Sequence, residues 1–85
     1  MKITSVNVHK RNDDTKVKGI ATVQIDDCFK IRDIRIIEGE NGLFLAMPSR
    51  KNAQGVYHDI AHPLNAETRK MFEDAIFEEY NKVEE

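Results

Sequence analysis

The clearest signal along the chain is alternation. In Lys16 to Asp26 apolar and polar residues trade places every second position, with Ala21, Val23 and Ile25 on one side. That period of two belongs to a strand with one buried face. Ile3 to Lys10 alternates more weakly, with Val6 and Val8 together, and predicts a strand before it. The cluster Asn12-Asp13-Asp14 and the pair Asp26-Asp27 are turn chemistry, bounding the second strand on both sides. Phe29 to Glu38 predicts a third strand, but its phase breaks: Phe29 and Ile31 share one parity, Ile34 and Ile36 the other. Either apolar groups cover both faces there, or a bulge near Asp33 shifts the register, and the bulge is the expectation. Glu38 to Gly42 predicts a Gly/Asn turn, Leu43 to Met47 a short buried strand, PSRKNAQG a hairpin loop, and Val56 to Ala61 a fifth strand.

The period then changes. Pro63 stops the strand, Asn65 is a good helix N-cap, and Glu67 places an acid in the first turn, where the helix dipole favours it. Met71, Phe72, Ala75, Ile76, Tyr80 and Val83 fall on one broad face at 100° per residue. Phe77 points away from that face, toward either a loop or sheet edge or a partner. The pattern as a whole predicts an α+β fold: a five-stranded antiparallel sheet followed by one C-terminal amphipathic helix packed on it. One helix covers one face, so the second face and the sheet edges invite another chain, and a homodimer is expected.

Length adds that residues 1–85 form a single domain, since a second core would leave too few residues for either. Cys28 is the lone cysteine, no apolar run approaches the roughly 20 residues that span a bilayer, and the first residues lack the core of a signal peptide. A cytoplasmic protein with no membrane partner is the expectation. The net charge of −2 argues at first against nucleic acid. Its distribution alters that: through His62 there are ten Lys/Arg against eight Asp/Glu, and from Pro63 onward three against seven. The sheet half is therefore locally basic, and acid concentrated elsewhere need not cancel it.

The residue types that carry chemistry do not assemble. His58 and His62 have the spacing that chelates a metal on a helix, but on an extended segment they lie about 13 Å apart. Cys28 and His9 lack neighbours at zinc spacing, and Cys28 reads as a small hydrophobe at the start of a strand. Ser49, Asp59 and His62 could suggest hydrolysis, yet nothing like a nucleophile elbow surrounds Ser49, and His62 before a proline suits a turn. The glycines form no phosphate-binding loop. No catalysis, metal, cofactor or small-molecule substrate is expected.

Basic residues are the remaining candidates. Arg50 and Lys51 sit side by side in the loop, and Arg69 and Lys70 near the helix start, where cations are mildly unfavourable for the dipole. Lys30, Arg32 and Arg35 lie along the third strand. Any one of these could be plain solvated surface. Taken together, the loop and the helix start are joined directly by Val56 to Ala61 and would make a phosphate-binding patch, with Asn52 and Gln54 within reach of base edges. Four such contacts per protomer bind weakly and with strong salt dependence, and a dimer doubles them. The chain has no basic recognition helix paired with a partner helix, so it is not a helix-turn-helix reader.

DIRIIEGENGLFLAMPSRK followed by DIAHPLN resembles the SpoVG family (stage V sporulation protein G, also called the septation protein), over nearly the whole chain. The blocks GLFLAMPS and DIAHP carry the resemblance. It implies a small bacterial cytoplasmic dimer with a sheet-plus-helix fold. It also implies site-specific binding of DNA, and in some members RNA, by a regulator of sporulation and of asymmetric septation. It places nucleic-acid contacts at the basic residues after MPS, here Arg50 and Lys51, and less directly at the C-terminal helix, here Arg69 and Lys70. The alternative is a protein-interaction module of the septation and cell-division machinery that does not bind nucleic acid, using the uncovered sheet and Phe77.

Overall fold

A computed structural model describes residues 1–11 and 15–82. The expected turn at Asn12-Asp13-Asp14 and the place of Val83 in the helix lie outside the described residues. Strands β1 (Ile3–Lys10), β2 (Val17–Ile25), β3 (Phe29–Gly39) and β4 (Gly42–Ala46) form one antiparallel sheet in sequence order. Two short strands, β5 (Ser49–Lys51) and β6 (Tyr57–Asp59), pair only with each other, and α1 (Ala66–Lys82) follows.

The single five-stranded sheet is therefore corrected to four strands plus a separate two-stranded hairpin. Pro48 explains the break, because a residue without an N–H cannot continue a ladder at both edges. The chain leaves β4, and the Pro48 carbonyl instead accepts the Ile60 N–H at 2.7 Å, closing the base of the hairpin. Ser49, Arg50 and Lys51 pair with Asp59, His58 and Tyr57. What the composition marked as one long loop is thus a strand followed by a much shorter turn.

The turns follow the local chemistry. Asp26 and Asp27 both take left-handed φ angles, 52° and 57°, and Cys28 N–H donates to Ile25 O at 3.1 Å across them. Two consecutive residues of this kind match the right-handed twist of the strands they join. Cys28, expected as a small hydrophobe, is exposed in this turn. The bulge in β3 is present. Ala21 pairs with Ile34 and Val23 with Ile31, so Thr22 alone faces both Arg32 and Asp33, and Asp33 carries φ 63°. The extra residue moves Ile34 and Ile36 onto the buried side, where both are fully inaccessible.

The core lies between one face of the sheet and α1: Val8, Ala21, Val23, Ile25, Ile34, Ile36, Leu45, Met47, Phe72 and Ile76. Asn65 caps the helix, its Oδ1 accepting the Thr68 N–H at 2.8 Å. The helix has 17 residues, about 25 Å of length, and packs chiefly on β1. Phe77 does not point away from the core but is half-buried against it, as Tyr80 and Met71 also are. The ring of Tyr80 lies 4.4 Å below the Lys10 ammonium, tying the last helical turn to the end of β1. The opposite sheet face carries Thr22, Gln24, Arg35, Ile37 and Phe44, and no described element covers it.

Candidate nucleic-acid interface

The β5–β6 hairpin is organised by Asn52. Its N–H donates to Val56 O at 2.9 Å, and Gly55 N–H donates back to Asn52 O at 3.0 Å. Gly55 takes φ 84°, a left-handed angle at which a side chain is strained, and so completes a three-residue loop of Ala53, Gln54 and Gly55. The Asn52 side-chain oxygen accepts the N–H groups of both Gln54 and Val56, each at 2.9 Å. Those two bonds fix the amide, so Nδ2 is the atom that meets His58 Nε2 at 3.1 Å. Nδ2 donates, and the ring nitrogen accepts.

This arrangement separates the expected site residues. Arg50 and Lys51 are exposed on β5, and neither has an acidic partner within 4.0 Å among the described residues. Antiparallel pairing puts Arg50 opposite His58 on one face, and Lys51 opposite Tyr57 on the other. The Lys51 ammonium lies 5.9 Å from the centre of the Tyr57 ring. Gln54 is exposed at the loop tip. Asn52, expected to reach base edges, has both ends of its amide engaged within the hairpin.

The second cationic pair is differently placed. Arg69 Nη2 donates to the Leu45 carbonyl on edge strand β4 at 2.8 Å, and its Nε lies 3.8 Å from Glu73. Lys70 is bonded to Asp74 at 2.8 Å one helical turn away. That hydrogen bond, and then the Asp74 charge, hold the Lys70 ammonium above the usual lysine range. Arg69 therefore fastens the helix start to the sheet, and Lys70 is locally neutralised, whereas Arg50 and Lys51 form no ion pair among the described residues. Arg35 also serves the scaffold, donating to Ser49 Oγ at 3.2 Å and anchoring the hairpin to β3. His62 bonds within its turn, Nδ1 to the Pro63 carbonyl at 3.0 Å.

From sequence Tyr57 carries no binding role, and His58 enters only as a rejected metal ligand. The signal was available: an SRK strand paired with YHD places Lys51 against Tyr57 and Arg50 against His58. It was hidden because Ser49 to Lys51 has the composition of a turn.

The chain is thus a small sheet-plus-helix protein of the α+β class, with an exposed two-stranded ribbon that carries Arg50, Lys51, Tyr57, His58 and Asp59. The SpoVG family model matches residues 1–82, and the chain belongs to that family. A relative from Caldanaerobacter subterraneus subsp. tengcongensis is 52% identical over 85 residues, covering all of this chain and 93% of the relative. One from Phytoplasma australiense is 51% identical over 83 residues, covering 98% of this chain and 86% of the relative. A third, from Bdellovibrio bacteriovorus, is 51% identical over 82 residues, covering 96% and 75%. Each bears the name "Putative septation protein SpoVG".

Proposed function

We propose that this protein is a homodimeric, sequence-selective nucleic-acid-binding regulator acting in sporulation and septation, in the cytoplasm and without a catalytic step. The septation part of this reading rests on the relatives' shared name. The nucleic-acid part rests on one observation: Arg50 and Lys51 stand adjacent on an exposed hairpin with no acidic partner within 4.0 Å among the described residues, while the other predicted pair is engaged. A two-stranded ribbon fits a major groove, and these two cations suit phosphate oxygens.

Dimerisation is supported by a hollow of about 530 Å³ between the β2–β3 turn and the start of α1. It is lined by Ile25, Phe29, Met47, Leu64 and Phe72, among others. Phe29 is 62% and Leu64 90% exposed in the isolated chain, a poor state for two large apolar groups side by side in a chain this short. The hollow is separate from the hairpin loop, so two copies joined there each keep a hairpin for ligand.

The test is a binding titration across salt. Two phosphate contacts per protomer give four per dimer, and a slope of log K against log salt of about −3.6 on duplex DNA. Replacing both Arg50 and Lys51 by alanine flattens it toward zero. Absence of binding at low salt, or an unaltered slope in the double variant, refutes the reading. A second reading, a protein-interaction module, is favoured by the same apolar hollow. It predicts partner capture that survives the double variant and fails when Leu64 is replaced by aspartate.

A further inference from the structure

The proposed contact pair, Arg50 and Lys51, reads charge alone and leaves the most exposed aromatic side chain of the hairpin without a task. Every residue from Arg50 to Ile60 is exposed, and Tyr57, within that stretch, is 65% exposed. A tyrosine on a short strand is ordinarily used to pack against a neighbouring layer, but α1 lies over β1 and β2 instead. The cross-strand partner of Tyr57 is Lys51, whose ammonium lies near its ring. The other face of the hairpin presents Arg50 opposite His58. One aromatic plane therefore stands within one side chain of a cation.

We propose that Tyr57 is a stacking platform for an unpaired base, with Lys51 taking the neighbouring phosphate, so that the hairpin prefers single-stranded nucleic acid. The inference rests on the nucleic-acid reading above and deepens it by naming the ligand class. Within a duplex each base already stacks on its neighbours and offers its edge to a protein, not its face. In a single strand the face is available, and an exposed aromatic ring is the side chain that uses it. Charge steers either ligand to Arg50 and Lys51, while the ring discriminates between them. Such stacking tolerates all four bases, so Tyr57 sets strandedness and leaves sequence selection to other contacts.

The hairpin frame supports this use of the ring. The Asn52 bonds hold the loop from within, and the Arg35 to Ser49 bond holds its base, so the ring is displayed on an ordered ribbon. Ordering before binding lowers the entropy lost when the base docks.

The test compares a fluorescently labelled single strand with the duplex of the same sequence at one low salt concentration. Tyr57→Ile removes the ring and keeps a residue suited to a strand; Tyr57→Phe keeps the ring. The wild type is expected to favour the single strand. Tyr57→Ile loses roughly 5- to 150-fold on the single strand, has little effect on the duplex and leaves the salt slope unchanged, while Tyr57→Phe retains single-strand affinity. In a Tyr80→Phe background Tyr57 is the remaining tyrosine, and its fluorescence is expected to be quenched by the single strand. Equal wild-type affinity for both strand states, or an equal loss on both in Tyr57→Ile, overturns the inference. If the duplex binds with a slope that depends on Arg50 and Lys51 while Tyr57→Ile has no effect, the stacking proposal fails and the broader reading stands. If neither ligand binds, both fall.

Discussion

Asn52 separates two ways of using a polar residue in a candidate recognition loop. From sequence it is a candidate base reader; in the structure its oxygen holds two backbone N–H groups and its nitrogen holds His58. Asn52→Ala removes three hydrogen bonds. In an exposed hairpin water replaces much of each, so the low end of the usual range applies, about 0.5 kcal/mol apiece and about 1.5 kcal/mol together. That amount is local. No residue from Ser49 to Asp59 belongs to the buried core, so opening the hairpin costs the sheet little. The amides of Asn52, Gln54, Gly55 and Val56 should therefore exchange about tenfold faster by NMR-detected hydrogen exchange, with core amides of β2 and β3 unchanged. Asn52→Asp supplies the control: it keeps the oxygen acceptor, loses the donation to His58, and should accelerate exchange only about two- to threefold. Nucleic-acid affinity is then expected to fall only as far as the closed fraction of the hairpin falls, without a change in base preference. Unaltered amide exchange in Asn52→Ala, together with altered base preference, would show that Asn52 reads bases and that its internal bonds are incidental.

Two further outcomes follow from the same geometry. Arg69→Ala should lower stability by about 1.5 kcal/mol, the low end for a charged donor because Arg69 is partly solvated, whereas Lys70→Ala should move the urea midpoint little; equal shifts for the two would refute a fastening role for Arg69. Leu64→Asp should leave the monomer folded and shift sedimentation equilibrium from dimer to monomer, and a dimer that persists would place the interface away from the hollow.

The parts of the fold that could be read from sequence are those set by neighbours in the chain. Alternation over Ala21, Val23 and Ile25 reports one buried face, and all three are buried. The phase break after Ile31 reports the bulge because only an inserted residue puts Ile31 and Ile34 on one side. Asn65 reports the helix start because the cap is completed three residues on. Phe77 failed for a geometric reason. A helical wheel assigns a face as if the helix faced a flat wall, whereas α1 lies along β1 near the sheet's edge and buries flanking positions as well.

The candidate site was legible only halfway, and the reason lies in sequence distance. Arg50 and Lys51 announce themselves as an adjacent charged pair. Arg69 and Lys70 announce themselves in the same way, but the Leu45 carbonyl that engages Arg69 is 24 residues away. An edge strand needs donors for its outward carbonyls, and a helix-start arginine is long enough to supply one. That demand explains a cation placed where the helix dipole would not choose it. A charge pattern therefore identifies cations, but only their partners decide which remain available to a ligand. By that criterion the candidate surface contracts from two patches to one ribbon, and Tyr57 gains weight there because it stands opposite a lysine with no acidic partner within 4.0 Å among the described residues.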